Sequence, residues 1–230
     1  MRKFQLFIKR AFDIIAAISL LILLIIFPVM IIVPILIKID SKGPAIFTQD
    51  RTGKNGKIFK IYKFRTMRIP EDSLDENGNM LEPKQRITKL GAILRKTSID
   101  ELAQLFNIIN GTMSFVGPRP TLPYQSERYN ERQKKRHDMR PGITGWAQVN
   151  GRNELTWSEK LEYDVEYIEK FSLLFDIKIL FKTVAVVLKQ DGIAFTKNDA
   201  INAKAPTAEG ETKAEADNAA GAGANENNNE

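Results

Sequence analysis

One apolar stretch with positive charge on both sides constrains this chain more than any other feature. From Ala11 to Ile37 nearly every residue is apolar, and Asp13 carries the only charge. Arg2, Lys3, Lys9 and Arg10 precede it; Lys38, Lys42, Arg51, Lys54, Lys57, Lys60, Lys63, Arg65 and Arg68 follow it, against Asp40 and Asp50. At ~1.5 Å per residue a straight helix over this stretch would be roughly 40 Å long. The hydrocarbon core of a bilayer is only about 30 Å thick. Basic flanks stay on the cytoplasmic side, and a straight span would put one of them on the wrong side. Pro28 and Pro34 each remove a backbone donor and favour a bend. The pattern predicts a helix that enters the membrane, bends near Phe27-Pro28 and leaves by the same face. A tilted, proline-kinked spanning helix is the competing reading. A cleaved signal peptide does not fit, because the apolar region is too long and no A-x-A site follows it.

The chain's 230 residues suffice for one membrane element and one compact domain. There is no cysteine, which excludes disulfides and thiolate metal sites and suits a reducing compartment. The net charge is +6, although the segment from Lys204 onward is acidic, so the rest is more basic still. A basic domain beside a membrane anchor points to anionic headgroups, phosphorylated substrates or both. No nucleic-acid-binding motif accompanies the charge, so no nucleic-acid partner is expected.

Three regions follow: a membrane element at 1–40, a folded domain at 41–200, and a disordered acidic tail at 201–230 with no aromatic residue. The expected class is α+β and mostly helical. Short strands at 45–49 and 57–64 flank a turn holding Gly53 and Gly56. Residues 70–83 read as a polar loop. Helices are expected over 87–96, 99–110 (ended by Gly111), 126–139, 158–171 and 173–189. Residues 141–153, with three glycines, read as a loop. The 173–189 helix is amphipathic, which suits packing on a core or lying in a membrane interface.

Asp100 and Glu101 open the 99–110 helix in the run Ser98-Ile99-Asp100-Glu101-Leu102. Ser98 and Glu101 have the spacing of a capping box, and acidic residues favour a helix start in any case. The same position keeps a carboxylate ionised, which suits a nucleophile with a base or metal ligand beside it. Arg119 stands between Pro118 and Pro120, so its planar donor fork is offered to a phosphate at a fixed angle, or merely decorates a stiff turn. In the glycine-rich run, glycines allow close approach to a ligand, and Gln148, Asn150, Arg152 and Asn153 supply polar groups. Lys60, Lys63, Arg65 and Arg68 form a basic run that suits a solvated or lipid-facing surface. His137, the sole histidine, is assigned no role.

Four ordered runs carry a resemblance. They are Phe59 to Met67, Ser98 to Leu102, Met113 to Pro120 and Arg140 to Asn153. Together they resemble the bacterial sugar transferases called monotopic phosphoglycosyl transferases, over about residues 1–190. Arg136 to Gly145 and Ala147 to Asn153 resemble most the small members that transfer N,N′-diacetylbacillosamine phosphate in bacterial N-glycosylation. The resemblance implies an N-terminal re-entrant membrane helix, a small cytoplasmic domain with a short β-hairpin, and amphipathic interfacial helices. The family's helix breaks at a Ser-Pro pair, where this chain has Phe27-Pro28. The implied reaction moves a sugar 1-phosphate from a UDP-sugar to undecaprenyl phosphate with Mg²⁺ at the inner membrane, and downstream glycosyltransferases extend the product. By position Asp100 matches the nucleophile and Glu101 its partner, either base or Mg²⁺ ligand. Lys63 matches a lysine needed for activity, and Arg119, Gln148 and Arg152 match phosphate- or nucleotide-contacting positions. The alternative is a non-catalytic membrane scaffold that binds anionic lipid or a partner enzyme.

Overall fold

The computed structural model describes residues 2–26, 28–151 and 155–189. Pro28 separates α1 (Arg2–Ile26) from α2 (Val29–Asp40), and the axes differ by 62°, so the bend falls at the expected proline. Pro34 lies inside α2 without ending it. No single helix among the described residues is long and apolar enough to cross a membrane; the bent pair together is, by length and composition.

α1 does not stand away from the domain. Ala17, Leu20, Leu21 and Leu24 pack against Ile61, Leu105, Ile108 and Met113. Phe4, Phe7, Phe12, Ile15 and Ile22 remain exposed. Polar contacts fix the helix in register. The buried Lys9 ammonium lies 2.7 Å from Asp176, and Arg10 donates to the carbonyls of Ile108 and Ile109 at 2.7 and 3.2 Å. Asp13, the one charge in the apolar stretch, accepts from the Ser114 hydroxyl at 2.8 Å and the Phe115 amide at 3.2 Å. Arg2 donates to the Ile168 carbonyl at 2.9 Å. Arg2, Lys9 and Arg10 of the N-terminal basic flank are therefore engaged with the domain.

Val33 and Ile37 of α2 share a core with Ala45, Phe64 and Leu94. Arg65, read from sequence as part of a solvated basic run, is buried. Its guanidinium donates to the Lys42 carbonyl and, at 2.7 Å, to the Ser41 carbonyl, which satisfies acceptors where α2 ends.

The expected hairpin is present. β1 (Ile46–Thr52) pairs antiparallel with β2 (Ile58–Phe64), placing Phe47 opposite Lys63. α3 (Lys89–Lys96) starts at Thr88, whose hydroxyl accepts the Gly91 amide at 2.9 Å. The expected single helix over 99–110 is instead a tight 3₁₀ segment, Ile99–Gln104, running into α4 (Leu105–Ile109). Ser98 is left-handed (φ 56°) and makes no side-chain cap, so the Ser98–Glu101 capping box does not form. The Glu101 carboxylate is drawn to Lys63 instead.

Residues 141–153 are not simply a loop. β3 (Ser114–Val116) pairs in parallel with β4 (Gly142–Thr144), and Trp146–Val149 forms one helical turn. A Cβ on Gly142 would sit 2.1 Å from the Gly117 nitrogen, and one on Gly117 2.3 Å from the Arg140 carbonyl oxygen. These glycines let two segments of the chain touch, and no ligand is needed to explain them. The expected 126–139 helix is broken into Pro123–Glu127, Glu131–Lys134 and Lys135–Asp138. Arg136 turns inward there, and its guanidinium meets the Asp164 carboxylate, the Thr121 and Tyr129 hydroxyls and the Arg119 carbonyl.

α5 (Trp157–Glu169) and α6 (Leu173–Lys189) close the described fold. On α6, Ile179 is buried with Tyr167, while Leu174, Ile177, Phe181 and Val184 stay exposed, so one face packs and the other is uncovered. The acidic tail lies outside the described residues.

Asn107 ties α4 to the hairpin. Fully buried, it accepts the Tyr62 amide at 2.9 Å and donates to the Lys60 carbonyl at 2.8 Å. Asn107→Ala should destabilise the protein by about 1–3 kcal/mol for each group left unpaired, read as a lower unfolding temperature in detergent.

Candidate active site

β2 runs directly under the Ile99–Gln104 segment, and Lys63 projects from it between two acidic neighbours. Its ammonium is 2.7 Å from Glu101 Oε1 and 3.9 Å from Asp100 Oδ2. Asp100 is only 8% exposed. Arg119 reaches the same Glu101 oxygen at 3.5 Å, with about half its side chain in solvent. Four residues from three segments far apart in sequence thus form one cluster. The flanking prolines and the Arg136 donation to the Arg119 carbonyl at 2.7 Å fix the backbone that offers the guanidinium.

One lysine affects the two carboxylates differently. Burial raises the Asp100 pKa above its usual 3.8; Lys63, Arg95 and Arg119 oppose this, and the adjacent Glu101 reinforces it. Burial also pushes Glu101 upward, but the closer Lys63 and Arg119 outweigh it and hold Glu101 at about 2. The helix start was expected to keep the acidic pair ionised; for Asp100, desolvation exceeds that effect. The result is a firmly anionic Glu101 beside a more basic Asp100, which is the better nucleophile of the two.

The other expected residues are placed differently. Gln148 donates to the Ile143 carbonyl at 2.7 Å, its carbonyl oxygen is buried without a protein partner, and no contact joins it to the cluster among the described residues. Arg152 lies outside the described residues. His137 lines a recess beside Arg119 and is held near pKa 4, hence neutral, by burial and Arg136. Sequence reading missed Arg51, Asn107 and Arg136. Arg51 donates to the Pro120 carbonyl at 3.3 Å, and burial with the nearby Arg119 lowers its pKa to about 10. A polar Asn inside Leu105-Phe106-Asn107-Ile108-Ile109 was the one available signal among the three.

Asp100 and Glu101 are the acidic side chains in reach of a cation here; no group of three or more acidic or histidine side chains is arranged around a metal position among the described residues. That donor set fits Mg²⁺, which keeps several waters and takes its remaining ligands from substrate phosphates.

Residues 4–190 match the family described as Bacterial sugar transferase. The chain belongs to this family. The uncharacterized sugar transferase EpsL of Bacillus subtilis (strain 168) is 47% identical over 191 residues, covering 83% of this chain and 92% of that protein. A UDP-glucose:undecaprenyl-phosphate glucose-1-phosphate transferase of Escherichia coli (strain K12) is 46% identical over 186 residues, covering 77% of this chain. A UDP-galactose-lipid carrier transferase of Erwinia amylovora is 38% identical over 200 residues, covering 81% of this chain. The chain spans only 39% and 41% of those last two proteins, so what it shares with them is the sugar transferase region.

The two displaced carboxylates set a pH dependence. Glu101 stays ionised down to about pH 2, so an acid limb of turnover set by this pair should follow Asp100 and lie above its ordinary 3.8. Lys63 favours the Asp100 carboxylate, so Lys63→Met should move the limb to higher pH and Lys63→Arg should largely restore it. A kcat/KM profile of each protein checks this.

Proposed function

We propose that this sugar transferase moves a sugar 1-phosphate from a UDP-sugar to undecaprenyl phosphate and releases UMP. The observation that carries the reading is the buried Asp100, its pKa raised, facing Lys63 and Glu101 with Arg119 alongside. The relatives named for undecaprenyl-phosphate and UDP-sugar chemistry support the substrate classes.

In the first step an Asp100 carboxylate oxygen attacks the β-phosphorus of the donor. An O–P bond forms, the bond to the bridging oxygen breaks, and UMP leaves with that electron pair. Arg119 offers its donor fork to the phosphate charge, and Lys63 keeps Asp100 ionised for attack. Asp100 and Glu101 would hold Mg²⁺, which would supply neutralisation of phosphate charge. In the second step a phosphate oxygen of undecaprenyl phosphate attacks the same phosphorus, which releases Asp100 and leaves a lipid-linked sugar diphosphate for downstream glycosyltransferases. Glu101, anionic throughout, orients Lys63 and Arg119.

The donor sugar is set by two different arguments. The run Arg136 to Asn153 favours N,N′-diacetylbacillosamine. The names of relatives favour glucose or galactose. UMP release measured across these UDP-sugars with purified protein, Mg²⁺ and undecaprenyl phosphate decides among them. One donor should turn over, and Asp100→Asn should abolish release while the protein stays folded. No release with any donor would favour a non-catalytic scaffold.

The membrane reading is a re-entrant anchor at the cytoplasmic face of the inner membrane. Arg2, Lys9 and Arg10 all touch the domain, and α2 leads back into it, which suits a helix pair whose two ends share one side. The uncovered faces of α1 and α6 suit seating against lipid. A cysteine placed at position 3 should resist an impermeant reagent added outside intact cells. Labelling there would establish a spanning helix.

A further inference from the structure

A second cluster of cations lies apart from the catalytic residues. A small cleft of about 40 Å³, open to solvent, lies between α1, the β1–β2 turn and β3. Lys9, Arg10, Asp13, Lys54, Ser114 and Arg140 line it, so four cations face one carboxylate. Lys9 is neutralised by Asp176. Asp13, whose two oxygens accept from the Ser114 hydroxyl and the Phe115 amide, offsets the charge of Arg10. Arg10 is committed to the Ile108 and Ile109 carbonyls, and Arg140 donates through Nε to the Gly111 carbonyl at 2.7 Å.

These bonds leave two cations of the cleft, Arg140 and Lys54, without an acidic partner among the described residues. The Nε bond pins the Arg140 guanidinium and leaves its two terminal nitrogens unspoken for among the described contacts. The Lys54 ammonium likewise has no protein partner there, and neither side chain reaches an acid. A fixed guanidinium fork that shares a cleft with an ammonium is a donor arrangement that binds a phosphate. Gathering like charges in a cleft is unfavourable unless an anion enters it.

We infer that this cleft binds the phosphate of an anionic phospholipid headgroup. The wall of the cleft identifies the source. It is built from α1, where the exposed Phe7 stands about one turn before Arg10 and the exposed Phe4 one turn before that. A lipid held by its phosphate between Arg140 and Lys54 can lay its acyl chains past Phe7 and Phe4. Basic pockets beside membrane-facing helices suit headgroups in this way. The site would fix how deep the domain sits, and it is separate from the phosphates handled by Asp100 and Arg119.

Thermal unfolding of the full chain in nonionic detergent, at constant ionic strength, tests this. Three probes are titrated: dihexanoyl phosphatidylglycerol, dihexanoyl phosphatidylcholine and inorganic phosphate. Phosphatidylglycerol should raise the unfolding temperature saturably, and Lys54→Gln and Arg140→Gln should each weaken its apparent affinity roughly tenfold. Lys54 makes no contact that folding needs, so its variant stays informative if Arg140→Gln fails to fold. Asp100→Asn should bind as the unaltered protein does. An equal, variant-sensitive response to inorganic phosphate would make the ligand a free phosphate and overturn the lipid assignment. A response that Lys54→Gln leaves intact, or that Asp100→Asn removes, would overturn the site itself.

Discussion

Two neighbouring carboxylates shielded from water cannot both remain ionised without a cation between them, and Lys63 is that cation. Its distances decide the outcome: 2.7 Å to Glu101 and 3.9 Å to Asp100. The closer contact fixes Glu101 as a permanent anion, while the longer one leaves burial in control of Asp100. The cluster therefore depends on the register of β2, since a slip of one residue would turn Lys63 to the other face of the hairpin. Asn107 guards that register by bonding the backbone at Lys60 and Tyr62. On the far side of the cluster, Arg136 does the same for Arg119 through its backbone carbonyl.

The apolar N-terminal helix is part of the same construction. Leu20, Leu21 and Leu24 pack against the core that backs the hairpin, and Asp13 bonds to the strand leading toward Pro118-Arg119-Pro120. An anchor that was only a tether would need no buried Lys9–Asp176 pair or Asp13–Ser114 bond. These contacts make the position of the N-terminal helix and that of the Asp100 cluster one mechanical problem, which suits the proposed reaction between a soluble nucleotide and a lipid phosphate.

Much of this was legible in the sequence because it rests on local rules. Pro28 predicts the bend, Gly53 and Gly56 the hairpin turn, and the 3.6-residue period of Leu174, Ile177, Phe181 and Val184 the last helix. Asp100, Glu101, Lys63 and Arg119 were identifiable by residue type and motif, and the structure brings them together. What failed depended on partners distant in sequence. The Ser98 cap lost to the pull of Lys63 on Glu101. The 126–139 helix broke because Arg136 finds Asp164 in α5. Gly142 read as room for a ligand and proved, with Gly117, to be room for a parallel strand pair. Arg65 stood in a basic run with nothing to mark it as buried, and it bonds the carbonyls that follow α2. None of these partners lies within a helical turn of the residue it controls, so periodicity and capping rules could not reveal them.

The account stands or falls on whether Asp100 becomes covalently modified. Wild-type protein is mixed with the UDP-sugar that it turns over and Mg²⁺, without lipid, then rapidly quenched, digested and weighed by mass spectrometry. The peptide containing Asp100 should gain the mass of one phosphosugar, and adding undecaprenyl phosphate before the quench should discharge it. Efficient turnover of that donor with no adduct on this peptide at any quench time, together with full activity in Asp100→Asn, would contradict the covalent mechanism.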